Sequence, residues 1–328
     1  MAARRGATVA AAAALVLAAA GPARAAEPGL TVPAARLAAA LKCTPDVDHA
    51  ARTPLMLVTG TGVSGDEAYA IGKPAFDRAH IPLCYVNFPH HTTADVQVSV
   101  QYLVHGLRTM HRRAGRKLVV FGISQGGLLA RTALTYWPSL RPWVTDVISA
   151  AGTQHGTTVG SFADCAPRGC VPAAFQQARG SHFLAALNAQ PDETPGRTAW
   201  TTVRSATDEI VKPQTGRHPT SSLDGAANIL IQRVCPGRRT NHFGTAVDSV
   251  TYEAIVDAAY HRGPARVSRF PSDVCAHPYA PGLEEGATAT LIQAGGALAA
   301  DRGDSEPKVR REPAVRAWAA RIARVSGG

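Results

Sequence analysis

Charged residues make up only 18% of this 328-residue chain and aromatic residues 6%, while 45% is hydrophobic, so there is enough apolar material for a sizeable core and no compositional sign of disorder. Several signatures are missing. There is no zinc-finger spacing, no RNP-type aromatic strand and no dense Lys/Arg block, which argues against a nucleic-acid partner. Neither Cys nor His recurs at a ligand spacing and no His-Glu-x-x-His occurs, which argues against a metal site. No repeat period is visible. The length suits one domain.

The long apolar run is at the N-terminus. Arg4 and Arg5 precede Ala7 to Ala20, then Gly21-Pro22 and Ala23-Arg24-Ala25-Ala26 follow. A basic start, an apolar stretch shorter than the roughly 20 residues that cross a bilayer, and small residues at the end describe a secretory signal peptide over residues 1–26. No later segment is long and apolar enough to span, so the expected product is a secreted protein without a transmembrane segment. The net charge of +10 falls to +7 when Arg4, Arg5 and Arg24 are removed. An exported chain with six cysteines favours disulfides over free thiols. Cys165 and Cys170 flank Ala-Pro-Arg-Gly, whose proline and glycine permit a small closed loop.

Strand-like and helix-like runs alternate. Strands are expected at 54–59, 81–87, 117–121, 144–149, 200–205 and 229–234. Helices are expected at 96–113, 127–137, 181–189 and 252–261. This alternation predicts a mostly parallel sheet with helices on both faces. The unit is taken as residues 27–300. A charged tail, 301–328, follows, in which Pro313 opens an expected helix with Val315, Trp318, Ile322 and Val325 on one side. Such a helix either lies on a lipid surface or, the preferred reading, packs on its own domain.

Gly122-Ile123-Ser124-Gln125-Gly126 falls between an expected strand and an expected helix. A serine on that tight turn has its Oγ exposed above the sheet, next to the positive end of a helix. Serine needs a base, and the base an acid to orient it, in the chain order Ser, Asp or Glu, His. His242, in Thr240-Asn241-His242-Phe243-Gly244, is the best placed of the later histidines, which also include His155 and His261. Asp208, directly after an expected strand, is the best acid, with Glu209 as its rival. The backbone N–H of Gln125 and the Gly60-Thr61-Gly62 loop are the expected oxyanion donors.

Together Val58-Thr59-Gly60-Thr61-Gly62, Ser124-Gln125-Gly126-Gly127, Ser205-Ala206-Thr207-Asp208-Glu209-Ile210-Val211 with Pro213-Gln214, and His242-x-Gly244 resemble the Candida antarctica lipase B-like family of α/β-hydrolases. The likeness spans about residues 43–300. It implies an α/β-hydrolase fold, a Ser124–Asp208–His242 triad with Asp208 preferred over Glu209, and an oxyanion hole of Thr61 and Gln125. It also implies disulfides Cys43–Cys84 and Cys235–Cys275. The substrate pocket is expected to include Ile123, Thr153, Thr157 and Gln177, with Phe175-Gln176-Gln177 on the acyl side and a helix over 283–300 beside the entrance. The yeast member of the family has tryptophan where this chain has Ile123, which implies room for bulkier alcohols. Cys165–Cys170 falls where the family has a short lid, and implies a stiffer one.

The expected activity is hydrolysis of carboxylic esters, acylglycerols or fatty acyl esters, without cofactor, by a monomer. Two rivals remain: a polyester or other polymeric-ester hydrolase with the same machinery, and a secreted binding protein on a hydrolase scaffold, against which the complete catalytic set argues.

Overall fold

A computed structural model describes residues 27–159, 165, 168–283, 286, 289–290 and 307–321. The expected signal peptide, residues 1–26, lies outside the described residues. So do most of the expected entrance helix and much of the segment around Cys165.

Among the described residues seven strands form one sheet in the order β1-β3-β2-β4-β5-β6-β7. They are β1 (Leu41–Cys43), β2 (Leu55–Val58), β3 (Leu83–Val86), β4 (Leu118–Ile123), β5 (Val144–Ala150), β6 (Ala199–Arg204) and β7 (Ala227–Leu230). Only β1 is antiparallel to its neighbour. The central strands are near-continuous apolar runs because both faces are covered. Successive side chains alternate between two cores. Met56, Val58 and Val120 join Leu103, Leu107 and Trp137 on one face, whereas Leu57, Phe121 and Val203 join Phe76, Val250 and Ile255 on the other.

The helix Val96–Ala114 follows from its local chemistry. Asp95 caps its first turn by accepting from the Gln97 N–H, His111 to Arg113 sit at the negative end, and Gly115 closes it at φ +64°. Val96, Val100, Leu103, Leu107 and Met110, the expected stripe, are all buried. The helix Gly65–Arg78 was not in the expected set, although Ser64 and Glu67 form a reciprocal capping box at its start. The run 229–234 divides: β7 ends at Leu230 and Ile231–Val234 is a helical turn.

All six cysteines pair, as Cys43–Cys84, Cys165–Cys170 and Cys235–Cys275. The first pair joins registered positions on adjacent strands β1 and β3.

The tail departs from its expected form. Residues 313–316 are irregular and 317–319 form a turn, so no helix runs through them. Trp318 instead lies edge-on to Tyr136, 4.9 Å between centroids, and 5.1 Å from Trp137, with Ala319 fully buried. Burial of these rings holds an irregular turn there. Upstream, Val309 exchanges two backbone hydrogen bonds with Cys170. The buried Glu312 carboxylate accepts from the backbone N–H groups of His182 and Phe183 at 2.9 and 2.8 Å, at the start of the helix His182–Asn188. Glu312→Ala leaves both donors unpaired, and a loss of about 1–2 kcal/mol in stability is expected, read as a lowered denaturation midpoint at unchanged slope.

Candidate active site

Ser124 stands between β4 and the helix Gln125–Tyr136 at φ +53°, ψ −120°, a left-sided backbone conformation that a side chain adopts only under constraint. The constraint is close packing. A Cβ on Gly126 would stand 2.1 Å from the Val58 carbonyl oxygen, and one on Gly122 would stand 2.5 Å from the Gly126 backbone. Larger residues at either place would push strand and helix apart. The turn leaves Ser124 at the C-terminal end of the sheet, capping a helix whose partial positive charge lies beside its hydroxyl.

Asp208 and His242 arrive on loops beyond β6 and β7. Asp208 is 4% exposed and His242 5%. The Asp208 Oδ1 accepts from the backbone N–H groups of Ile210 and Val211 at 2.9 and 2.8 Å, which turns Oδ2 toward His242 Nδ1, 2.9 Å away. Gln214 Nε2 lies 3.5 Å from the same Oδ2 and donates to Ser221 at 2.7 Å. The two acid candidates are thus separated by geometry. Glu209 accepts instead from the His242 backbone N–H at 3.0 Å, and so holds the main chain rather than the ring. His242 opens the short helix His242–Val247, capped by Asn241. His155 pairs with Glu193 and His261 with Asp257, each away from this site.

Ser124 and His242 line one pocket of about 160 Å³. Among the described residues the Ser124 hydroxyl has no hydrogen-bond partner, so it is free to meet either the imidazole or a substrate. The same pocket is lined by Thr61, Ile123, Thr153, Thr157 and Gln177. Ala68, Ala174, Ile210, Val211, Phe243 and Ala246 line it too and were not anticipated, because one or two apolar residues on each of four different segments carry no local signal.

Around the turn a polar chain connects the remaining candidates. Thr153 donates to Gln177 Oε1 at 3.0 Å, and Gln177 Nε2 donates to Thr61 Oγ1 at 2.8 Å and to Gln125 Oε1 at 3.1 Å. Thr61 Oγ1 in turn donates to Gln125 Oε1. The backbone N–H groups of Thr61 and Gln125 have no partner among the described residues. Gly60 packs its Cα against Ser124, where a Cβ would come within 2.9 Å of the serine Cβ, so the Thr61 loop lies directly over the turn. Thr157 sits deeper, donating to the Ile210 carbonyl and accepting from the Lys212 N–H at 3.2 Å, which ties the pocket wall to the Asp208 loop.

Among the described residues no group of three His, Cys, Asp or Glu could hold a metal ion, and no helix is long and apolar enough to cross a membrane.

A parallel sheet with a strand–serine–helix junction at its centre and an imidazole–carboxylate pair on the following loops defines an α/β-hydrolase. The comparisons with known proteins agree. The chain is 32% identical over 238 residues to lipase B of Pseudozyma antarctica, a match covering 69% of this chain and 67% of that protein. The crystal structure of Aspergillus fumigatus lipase B superposes with a TM-score of 0.81 at 27% identity, covering 89% of this chain and 73% of that one. No family model matches the chain. The chain belongs to the lipase B family and is a carboxylic ester hydrolase.

Proposed function

We propose that residues 27–300, with the tail strapped against them, form a secreted enzyme that hydrolyses acylglycerols or related fatty esters through an acyl-serine intermediate. The observation that carries this reading is the 2.9 Å contact from Asp208 to His242 Nδ1, with His242 and Ser124 lining one mostly apolar pocket. His242 Nε2 removes the Ser124 proton as Oγ forms a bond to the ester carbonyl carbon. The charge that develops on the carbonyl oxygen is taken by the N–H groups of Thr61 and Gln125. Collapse breaks the ester C–O bond, and His242 passes its proton to the leaving alcohol. Water then gives a proton to His242 and its oxygen to the acyl carbon, and the acid leaves with Ser124 restored. Acyl transfer by this route draws on no cofactor.

The Thr61 hydroxyl has a second task. It is spent on Gln125 Oε1 in the resting site, and must turn to reach an oxyanion. Gln177 Nε2 already reaches both groups, so it keeps Gln125 Oε1 paired when the hydroxyl moves. Thr61→Val is expected to lower kcat by about 10–10²-fold with little change in KM, because the lost donor acts mainly on the transition state; an equal rise in KM with kcat unchanged contradicts that role.

Three disulfides agree with an oxidising compartment. The test of the whole reading is a serine-directed phosphonate together with p-nitrophenyl esters from acetate to palmitate and emulsified triglyceride. Stoichiometric labelling at Ser124, and loss of turnover in Ser124→Ala, are expected. Folded protein that takes no label would mark a binding protein instead.

Ile123 bears on the alcohol. It lines the active pocket and also a smaller apolar cavity of about 40 Å³ bounded by Phe76, Phe121 and Tyr252, and Ala68 and Ala246 complete the partition between them. The partition is thin and made of small or aliphatic side chains. Wild-type protein is expected to accept secondary alcohol esters with large flanking groups, and Ile123→Trp to lose those substrates at least about tenfold more than the smallest one. Wild-type turnover confined to the smallest esters would refute it.

A further inference from the structure

The loops at the opposite end of the sheet form a second cavity, of about 890 Å³, larger than the ester pocket and chemically unlike it. It lies where β4, β5 and β6 begin. Lys117 immediately precedes β4, whereas Ser124 immediately follows it, so the six residues of that strand hold the two sites about 20 Å apart.

Its walls carry cations from four separate loops. Arg116 and Lys117 come from the turn before β4, Arg141 from the turn before β5, Arg197 from the turn before β6, and Arg262 from the turn after the helix Ser249–Tyr260. Arg141 is held in position by the Leu134 and Thr135 carbonyls. The side chains of Arg116, Lys117, Arg197 and Arg262 have no hydrogen-bond or ion-pair partner among the described residues. Single exposed arginines such as Arg217 and Arg239 are unpaired as well, but here the unpaired cations from separate loops converge on one concavity. Four unmatched cations around one concavity repel one another, and that repulsion is relieved by an anion.

The floor holds one group that opposes an anion. Asp146, 3% exposed, lines this cavity and its Oδ1 is buried with no hydrogen-bond partner. The nearby Arg269 guanidinium donates to Asp257 instead. A buried carboxyl oxygen without a donor is costly when ionised, and an anion is admitted beside it only when the carboxyl is protonated, so in alkaline solution Asp146 works against binding.

From this convergence we infer that the cleft at the N-terminal end of the sheet is a binding site for a phosphate-rich anion. Guanidinium groups are the side chains best matched to phosphate, which they grip through paired N–H donors. The volume fits an oligophosphate, and sites for small ligands commonly occupy 300–1,000 Å³. Phosphate could be presented free, on a soluble polymer, or as lipid headgroups. The cleft opens at the end of the sheet away from the ester pocket, so attachment to a lipid surface through it would turn the ester pocket from that surface. The free or polymer-borne anion is therefore the occupant argued for.

The test is calorimetric titration of the full chain with inorganic tripolyphosphate at pH 8 and low salt. One saturable site is expected. Arg116→Ala with Arg262→Ala should weaken it at least about tenfold, whereas Arg36→Ala with Arg112→Ala, which removes the same charge from exposed positions outside the cleft, should change it less than about twofold. Asp146→Asn, which removes the one negative charge of the floor, should tighten binding about threefold or more. Melting temperatures of the variants verify that each is folded. Equal weakening by the two double variants would reduce the cleft to general charge attraction and overturn the inference. So would weaker binding in Asp146→Asn. Binding of anionic phosphatidylglycerol vesicles that depends on Arg116 and Arg262, with no response to tripolyphosphate, would overturn it in favour of a lipid headgroup.

Discussion

Asp208→Asn is expected to lower kcat toward a soluble ester by about 10⁴-fold, while Glu209→Gln costs less than about tenfold. The two carboxylates are adjacent in sequence, so the difference must come from where each points. The Asp208 Oδ2 accepts from the imidazole at 2.9 Å, which keeps the proton on Nδ1 and leaves Nε2 able to receive the one from Ser124. An asparagine amide can offer its NH₂ group to Nδ1 instead. The ring then carries its proton on Nε2, where it blocks rather than assists the serine. The fixing contacts from Ile210 and Val211 survive in the amide, so the geometry is retained and the loss is one of tautomer. Glu209 meets only the His242 backbone N–H, and its amide can still accept there. Initial rates with p-nitrophenyl butyrate, with phosphonate labelling of each variant, measure this directly. A fall as deep in Glu209→Gln, with Asp208→Asn nearly normal, would exchange the roles of the two acids. KM should change little in either case, since neither side chain faces the pocket.

What could be read in the sequence was what local chemistry determines. The turn at Ser124 was legible because only glycine fits at Gly122 and Gly126, where backbones touch. The strands β2, β4, β5 and β6 were legible as apolar runs, since a sheet covered on both faces requires them. The acid was less so. Asp208 and Glu209 have the same local setting, and resemblance to a family favoured Asp208 before the Ile210 and Val211 N–H groups gave the preference a physical reason. The tail misled because its stripe from Val315 to Val325 has helical spacing, yet Trp318 is satisfied by two aromatic rings on the helix Gln125–Tyr136 and the turn after it. Tertiary burial overrode periodicity there. The basic cleft gave no signal at all. Arg116, Arg141, Arg197 and Arg262 are scattered over nearly 150 residues and meet only because the loops before β4, β5 and β6 and the turn after the helix Ser249–Tyr260 come to the same end of the sheet.

Asp146→Asn is expected to stabilise the protein strongly in alkaline solution and hardly at all in acid. Burial pushes the Asp146 carboxyl from its ordinary 3.8 up to about 7, with nearby Asp257 adding to the rise and Thr145 and Arg269 opposing it. The folded state therefore binds a proton that the unfolded chain has already released between those two values. Below pH 3.8 the carboxyl is protonated in both states and costs nothing. As pH climbs through the interval, stability drains away, and above about 7 the penalty is complete, about 4 kcal/mol by linkage. Asparagine cannot ionise, so it removes that pH-dependent term, and because Oδ1 has no donor to lose, the substitution sacrifices no hydrogen bond there. Denaturant midpoints of wild type and variant should therefore nearly coincide near pH 4 and diverge toward pH 9, where a gain of about 2–4 kcal/mol is expected after allowance for relaxation around the charge. A constant offset across the whole range would mean that Asp146 is ionised in the fold at every pH measured, with a cation close enough to hold it so. A gain confined to acid would reverse the sign and place the carboxylate among the stabilising charges.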